Sequence, residues 1–211
     1  MKRAAAAAVL ILGVSVLLSA QQERPLSPPG TATAMVGGEW VKDADGANVY
    51  QGGKWIEVSY SRPMLRQRTN IFGTGADYGV AIRAGAALWR AGANQTTVLK
   101  TEAPLVIGGT TVPAGEYGLL IDLRSPSQWT LVVTSQPRQA EFDANNTTDL
   151  IGAANYNPKF DVVRVPMRVD SKAPSRLDQL TIYFLDVTRT AGKLAVAWEH
   201  TVASVEFTVG Q

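Results

Sequence analysis

Over most of the chain, apolar residues alternate with polar ones, which is the pattern of strands that bury a single face. The clearest case is the segment 55–61, where Ile56, Val58 and Tyr60 lie on one side and the residues between them are polar. Pro63 ends this segment because proline has no backbone N–H to donate to a sheet. The period of two predicts a β-strand here rather than a helix.

Turn-forming residues divide the chain into further short strands. Gly108-Gly109 lies between two β-branched runs, a position where two glycines indicate a type I′ hairpin. A Ser-Pro-Ser turn at 125–127 separates two more predicted strands. Beyond the segments already named, strands are predicted over 117–123, 129–134, 162–169 (where Pro166 suggests an edge or a bulge), 180–187, 194–198 and 202–209. This spacing predicts an all-β fold, a two-layer antiparallel β-sandwich of roughly eight to ten strands.

One segment departs from the strand pattern. Residues 82–90 are rich in alanine and predict one or two helical turns, although Gly85 weakens that prediction. Three tryptophans, Trp55, Trp129 and Trp198, lie within or beside predicted strands. We expect core packing for these three rings, because large aromatic side chains contribute most when buried.

The first 20 residues have the pattern of a secretory signal. Lys2 and Arg3 precede an apolar stretch of roughly 15 residues, shorter than the ~20 that a membrane-spanning helix needs. Ser19 and Ala20 follow as small residues, so we predict cleavage after Ala20. The expected product is periplasmic or secreted, with no membrane span after cleavage. A retained membrane anchor is the alternative.

Composition limits the class of partner. Residues 21–34 are rich in proline and predict a flexible leader, followed by a single β-sandwich domain over 35–211. The chain has no cysteine, so no disulfide supports the fold. Its net charge is +2 and it contains no block of basic residues, which argues against a nucleic-acid partner.

Several ordered motifs carry a resemblance to a known family. They include Tyr-Ser-Arg-Pro at 60–63, Trp-Arg-x-Gly-Ala-Asn at 89–94 and Val-Pro-Ala-Gly-Glu-Tyr at 112–117. Asp-Val-Val-Arg-Val-Pro at 161–166 and Ala-Trp-Glu at 197–199 follow in the same order. Together they resemble the exported bacterial proteins grouped as domain-of-unknown-function family 2911. The resemblance implies an exported single domain and brings no activity with it.

The best candidates for a binding site lie within two of these motifs, at 60–63 and 89–94, and just after the first of them. Guanidinium groups suit carboxylate or phosphate ligands, and a tryptophan offers a flat face to a sugar or a cation. If strand 55–61 meets the loop at 89–94, these side chains form a polar concavity beside an aromatic wall. The alternative is structural, with arginines holding loop carbonyls, the tryptophan filling the end of the sandwich and the asparagine capping a turn. The candidates are Arg62, Arg66, Arg68, Trp89, Arg90 and Asn94.

Residues for catalysis and metal binding are scarce. His200 is the single histidine, and no serine lies in a Gly-x-Ser-x-Gly motif. Transition-metal sites need several His or Cys ligands, so we predict no such metal and no cofactor. The run Asp43-Ala44-Asp45-Gly46-Ala47-Asn48 has oxygen donors for calcium, but it is more typical of a hairpin turn.

Two functions remain after these considerations. We favour a non-catalytic envelope protein that binds a small molecule, a glycan or an envelope protein. The alternative is a hydrolase that acts on extracellular or envelope polysaccharide through paired carboxylates. Spacing in sequence does not pair the available acids across strands, so the question of enzymatic activity stays open. Those acids are Asp77, Glu102, Glu116, Asp122, Glu141 and Asp143.

Overall fold

The alternating segments form two antiparallel sheets. A computed structural model of the chain describes residues 25–210, and the signal peptide predicted at 1–20 lies outside them. This part of the chain contains one short helix, α1 (Val80–Arg83), and 3₁₀ turns at Gly75–Asp77 and Pro158–Phe160. It also contains twelve strands: β1 (Pro29–Lys42), β2 (Asn48–Ser61), β3 (Thr97–Thr101), β4 (Leu105–Ile107), β5 (Thr110–Val112), β6 (Gly115–Ser125), β7 (Gln128–Thr134), β8 (Asp161–Pro166), β9 (Arg168–Asp170), β10 (Leu177–Leu185), β11 (Ala191–Glu199) and β12 (Thr201–Val209).

The strand order confirms the predicted all-β sandwich. The first sheet runs β1-β2-β3-β6-β7-β8, and the second runs β10-β11-β12-β4-β5 with β9 also paired to β12. Twelve strands in residues 25–210 exceed the expected eight to ten for two reasons. The strand β3 is too short to show its alternation clearly, and the segment 162–169 is divided between β8 and β9 at Met167. Pro166 ends β8, which is an edge strand as its proline suggests.

The sandwich begins earlier in the chain than predicted. Strand β1 starts at Pro29, so residues 29–34 belong to the first sheet and not to a flexible leader. Within this stretch Ala32 and Ala34 are buried, while Thr31 and Thr33, which alternate with them, are exposed. Alanine buries little surface, which makes such an alternation easy to overlook in sequence. Backbone hydrogen bonds to β2 hold this stretch in the sheet, although its small side chains give no clear strand pattern in the sequence.

Other local predictions agree with the structure. Ile56, Val58 and Tyr60 of β2 are all buried between the sheets. Gly108 and Gly109 have φ values of 56° and 81° and connect β4 to β5 directly, as a type I′ turn requires. Sequence alternation and turn chemistry therefore determine these strands without help from the rest of the fold.

Aromatic rings fill one end of the space between the sheets. The rings of Trp89 and Trp198 stack with centroids 6.3 Å apart, and Trp129 meets Trp89 edge-on at 6.0 Å. The indole Nε1 of Trp129 donates a hydrogen bond of 2.9 Å to the Tyr78 hydroxyl, so the polar atom of this buried ring is satisfied. Phe72 contacts all three indoles. The predicted core positions of Trp129 and Trp198 are confirmed.

A second, smaller apolar cluster lies on the outer face of the first sheet. Strands β6 and β7 are buried on both faces, because two loops cover their outer side. We call residues 84–90 the first cover loop and residues 136–157 the second cover loop. Their apolar side chains pack on the sheet to form a cluster of Leu88, Leu120, Val132, Leu150 and Ala153.

The first cover loop replaces most of the predicted helix at 82–90. Helix α1 ends at Arg83, because Ala84 takes the left-handed conformation with φ of 49°. Backbone pairing explains why the helix stops. The N–H and C=O groups of Trp89 pair with those of Ile121 in β6, which requires extended backbone. No helix in residues 25–210 is long and apolar enough to cross a membrane.

Candidate functional site

The two cover loops leave a pocket of about 520 Å³ between them. Its walls are mostly aliphatic, and within the described chain Arg90 is the one charged side chain that lines it. A mostly apolar pocket with a few polar groups in its wall is typical of a site for a small molecule. The lining residues are Ala84, Gly85, Ala86, Ala87, Arg90, Ile151, Ala153, Ala154, Asn155 and Tyr156.

The backbone pairing of Trp89 determines where Arg90 points. Trp89 and Ile121 exchange two backbone hydrogen bonds of 2.8 Å, which makes the chain extended at this point. Successive side chains of extended backbone point to opposite sides. Trp89 therefore enters the core between the sheets, and Arg90 reaches the pocket on the outer side.

The Arg90 guanidinium is largely free for a ligand. Its Nη1 donates a hydrogen bond of 2.7 Å to the backbone oxygen of Asn94, and no other hydrogen bond from this side chain occurs within residues 25–210. A guanidinium has five N–H donors, so most of them face the pocket or solvent. Burial lowers the pKa of Arg90 below its ordinary value. A bound anion would offset this cost of desolvation.

Gly152 of the second cover loop packs against the guanidinium of Arg90. A Cβ atom on Gly152 would lie 2.6 Å from Arg90 Nη1 and 2.9 Å from the Asn94 oxygen. Its φ of +63° also favours glycine. The second cover loop thus approaches the guanidinium as closely as bare backbone allows.

A buried glutamine holds the second cover loop in place. Gln136 is fully buried, and its Nε2 donates hydrogen bonds of 2.7 Å to the backbone oxygens of Thr148 and Asn155. Its Oε1 accepts a bond of 2.9 Å from the Asn157 N–H. One side chain therefore satisfies three backbone groups of a loop that has no sheet partner there. Nothing in the sequence singles out Gln136, because a glutamine among polar loop residues carries no pattern of its own.

Tyr156 connects the pocket wall to a network of charges. Its hydroxyl donates to the Asp161 carboxylate and accepts a bond of 2.8 Å from Arg164. Arg164 also pairs with Asp122 and Asp161 at 3.1 Å. Burial and the neighbouring Asp161 carboxylate raise the pKa of Tyr156, so the phenol stays neutral at pH 7. Two carboxylates therefore flank Arg164, whereas Arg90 has no carboxylate partner among the described residues.

The predicted cluster of candidates is divided by the structure. The loop at 89–94 does meet the end of β2, because Gly92 lies against the backbone of Ser61. The side chains then diverge. Arg62 Nε donates to the Leu180 oxygen at 3.4 Å, whereas Arg90 lines the pocket and donates to the backbone oxygen of Asn94, which is not a lining residue.

The other arginines of the cluster also bind backbone oxygens. Arg66 donates to the Leu26 oxygen at 3.2 Å, and Arg68 donates to the Leu65 oxygen at 2.9 Å. These contacts match the structural alternative that the sequence left open for the arginines. They place Arg66 and Arg68 outside the lining of the Arg90 pocket.

Two tryptophans differ from their expected roles. Trp89 is 1% exposed and packs in the core, so it is not the aromatic wall of an open concavity. Trp55 was expected in the core, but 48% of its surface is exposed. The reason is the period of two in β2: the neighbouring Ile56 points inward, so Trp55 points outward.

The remaining candidates have structural partners. The Asp43 carboxylate accepts hydrogen bonds from the N–H groups of Asp45 and Ala47, at 3.0 and 2.8 Å. This run is the turn between β1 and β2, and residues 25–210 contain no cluster of three or more His, Cys, Asp or Glu arranged to hold a metal. His200 lies in the exposed turn between β11 and β12, with its Nδ1 at 3.1 Å from the Ala173 oxygen.

A larger groove, of about 720 Å³, opens on the second sheet. Its lysine, Lys193, already contacts Asp186 at 3.0 Å and Glu206 at 3.6 Å. The lining also includes Arg168 and Asp170, so three carboxylates accompany two cations in this groove. The smaller pocket at Arg90 is the better candidate for an anion because no carboxylate lines it.

The fold and the pocket define a class of protein, a two-sheet β-sandwich with a cationic, aliphatic pocket under two cover loops. The family model described as "Protein of unknown function (DUF2911)" matches residues 43–207, which is most of the chain. The chain belongs to this family, as its motifs indicated. Comparison with curated proteins and with solved structures finds no match, so no activity is transferred to it from a relative.

Proposed function

We propose that this protein binds a small carboxylate ligand in the Arg90 pocket and performs no catalysis there. The observation that carries the proposal is the state of Arg90. Its half-buried guanidinium has one hydrogen bond to the described chain and is the one charge among the pocket's lining residues. A planar guanidinium matches a carboxylate through two parallel hydrogen bonds.

The pocket walls indicate the rest of the ligand. Five alanines and Ile151 line the space, so the ligand has a short apolar body attached to its carboxylate. A volume of about 520 Å³ lies within the range of small-molecule sites. The lining residues include no carboxylate, so the alternative of hydrolysis by paired acids has no support at this pocket.

The pattern of residues 1–20 supports a location in the periplasm or outside the cell as part of this proposal. Amino-terminal sequencing of the protein from cell fractions tests the location. A protein recovered outside the cytoplasm and beginning at Gln21 agrees with it. Recovery of the uncleaved chain with the membrane fraction contradicts it and indicates an anchor.

Binding is tested by thermal unfolding of the purified protein with butyrate, benzoate and succinate, and with inorganic phosphate as a comparison. A carboxylate at a hundred times its Kd raises the Tm by about 5–10 °C. We expect Arg90→Ala to abolish this increase and Arg90→Lys to weaken it, because an ammonium does not form the paired hydrogen bonds.

Two control variants separate binding from folding. Arg62→Ala removes an arginine that bonds to Leu180 outside the pocket, and it should keep the response to carboxylate. Ala154→Leu narrows the pocket without changing Arg90 and should reduce the response. A response that survives Arg90→Ala, or no response to any carboxylate, contradicts the proposal.

A further inference from the structure

A second groove lies on the outer face of the first sheet, at strands β1, β2 and β3. Its volume is about 370 Å³, and its lining residues are Thr33, Trp55, Glu57, Lys100 and Glu102. None of these residues lines the Arg90 pocket. The groove therefore needs an explanation of its own.

Strand register explains why these side chains meet. Thr33 is directly opposite Glu57, and Glu57 is directly opposite Lys100. One pair further along, Glu102 donates its N–H to the Trp55 oxygen at 2.9 Å. Trp55 and Glu57 point to the outer face of the sheet, because they alternate along β2 with Ile56 and the other residues that point inward. Their partners on the neighbouring strands lie on the same face.

The groove has an exposed aromatic floor. Trp55 is 48% exposed, whereas Trp129 on the same sheet is almost completely buried. An indole face left open beside polar groups is typical of a contact surface for a ligand with an apolar face.

Each of the two carboxylates in the groove accepts a hydrogen bond through one of its oxygens. Glu102 Oε2 accepts a hydrogen bond of 2.8 Å from the backbone N–H of Trp55, and Glu57 Oε1 accepts one of 3.0 Å from the Ser59 hydroxyl. Within residues 25–210 the second oxygen of each carboxylate has no hydrogen bond. Preorganised acceptors lose little entropy when they bind a donor.

We propose that this groove binds a sugar ring of an oligosaccharide. A pyranose has a face of C–H groups that packs on an indole and an edge of hydroxyl groups that donate to carboxylates. The free oxygens of Glu57 and Glu102 accept from hydroxyls, and Lys100 donates to a ring or hydroxyl oxygen. An organic ammonium also suits an indole beside carboxylates. Lys100 favours the sugar: it pairs with Glu116 at 3.5 Å and keeps further N–H donors, which the oxygens of a sugar accept and a quaternary ammonium group cannot.

The test is isothermal titration of the purified protein with cellotriose, chitotriose, maltotriose and xylotriose, with choline as an ammonium probe. We expect binding of at least one oligosaccharide. Trp55→Ala should weaken that binding about tenfold, since stacking of this kind contributes about 1.4 kcal/mol. Glu57→Gln should weaken it by a smaller factor, because the amide keeps one acceptor oxygen.

The chain offers a matched control on the same hairpin. Trp40 is 70% exposed and does not line the groove, so Trp40→Ala should leave binding unchanged. Arg90→Ala should also leave it unchanged, which separates this site from the carboxylate pocket. Since Trp55 is half-exposed, Trp55→Ala should fold, and its thermal unfolding checks that it does.

Three results would overturn the proposal. The first is the absence of binding by all four oligosaccharides. The second is binding that Trp55→Ala leaves unchanged or that Trp40→Ala weakens equally. The third is binding of choline at Trp55 without binding of any oligosaccharide, which would assign the groove to an ammonium ligand.

Discussion

The α-carbon of Gly152 lies against the guanidinium of Arg90 so closely that a methyl group on it would stand 2.6 Å from Nη1. This contact joins the two cover loops, which are about sixty residues apart in sequence. The Arg90 side chain therefore has the backbone of Gly152 on one side and the pocket on the other. The candidate site depends on it.

Gly152→Ala should destabilise the protein by about 1–3 kcal/mol through overpacking and a strained φ. Gly109→Ala is a matched control: its φ is +81°, and a Cβ there would meet nothing within 4 Å. Urea unfolding should show a smaller loss for Gly109→Ala. Adding Arg90→Ala to Gly152→Ala should recover part of the loss, since the clash is with that side chain. Equal losses of unfolding free energy in Gly152→Ala and Gly109→Ala would contradict the contact between Gly152 and Arg90.

Gln136→Leu should loosen the second cover loop. The substitution leaves two backbone oxygens and one N–H without their side-chain partner, at about 1–3 kcal/mol for each buried group left unpaired. We expect a lower Tm and faster cleavage of the loop by a protease at low concentration. Gln128→Leu, at an exposed position in β7, is the control and should change neither. Unchanged cleavage of the Gln136→Leu variant would show that the loop is held by other contacts.

Stability should fall at alkaline pH because buried tyrosines hold their protons in the folded state. Burial raises the pKa of Tyr78, and burial together with Asp161 raises the pKa of Tyr156, from an ordinary value of 10.0. Above pH 10 the unfolded chain therefore loses protons that the native protein keeps, so the free energy of unfolding decreases as pH rises. The stabilising contribution is complete below pH 10.

Urea unfolding at pH 7, 9, 10 and 11 measures this effect, and Tyr156→Phe isolates one contribution. The variant should lose less stability between pH 10 and 11 than the wild type. The difference in unfolding free energy between the variant and the wild type should stay constant from pH 7 to 9, because Tyr156 does not titrate there in the folded or the unfolded state. Parallel pH curves for the two proteins above pH 10 would contradict the assignment.

Much of the fold was predictable because its information is local. The alternation in β2 and the two glycines between β4 and β5 each determine a short stretch of backbone. The strand predicted at 117–123 lies within β6, but the sequence did not show that loops cover its outer face, which leaves residues 117–123 all buried. It was also poorer at 29–34, where small residues hide a strand that needs β2 as a partner.

The candidate site was predictable only in part. Arg90 and Asn94 stood out by residue type, but only Arg90 lines the pocket, and Asn94 contributes a backbone oxygen that accepts from Arg90. Arg62 and Arg66 stood out equally, but they bind backbone oxygens elsewhere. Residue type does not reveal which of two arginines finds its partners within the protein.

The sequence by itself determined the all-β class, most strands and the family, since periodicity, turn residues and ordered motifs are properties of neighbouring positions. Only the tertiary structure decided that the second cover loop reaches Arg90 and that Trp55 and Glu102 share one face. Those relationships join segments tens of residues apart. They depend on sheet order, register and loop packing, which no local pattern specifies.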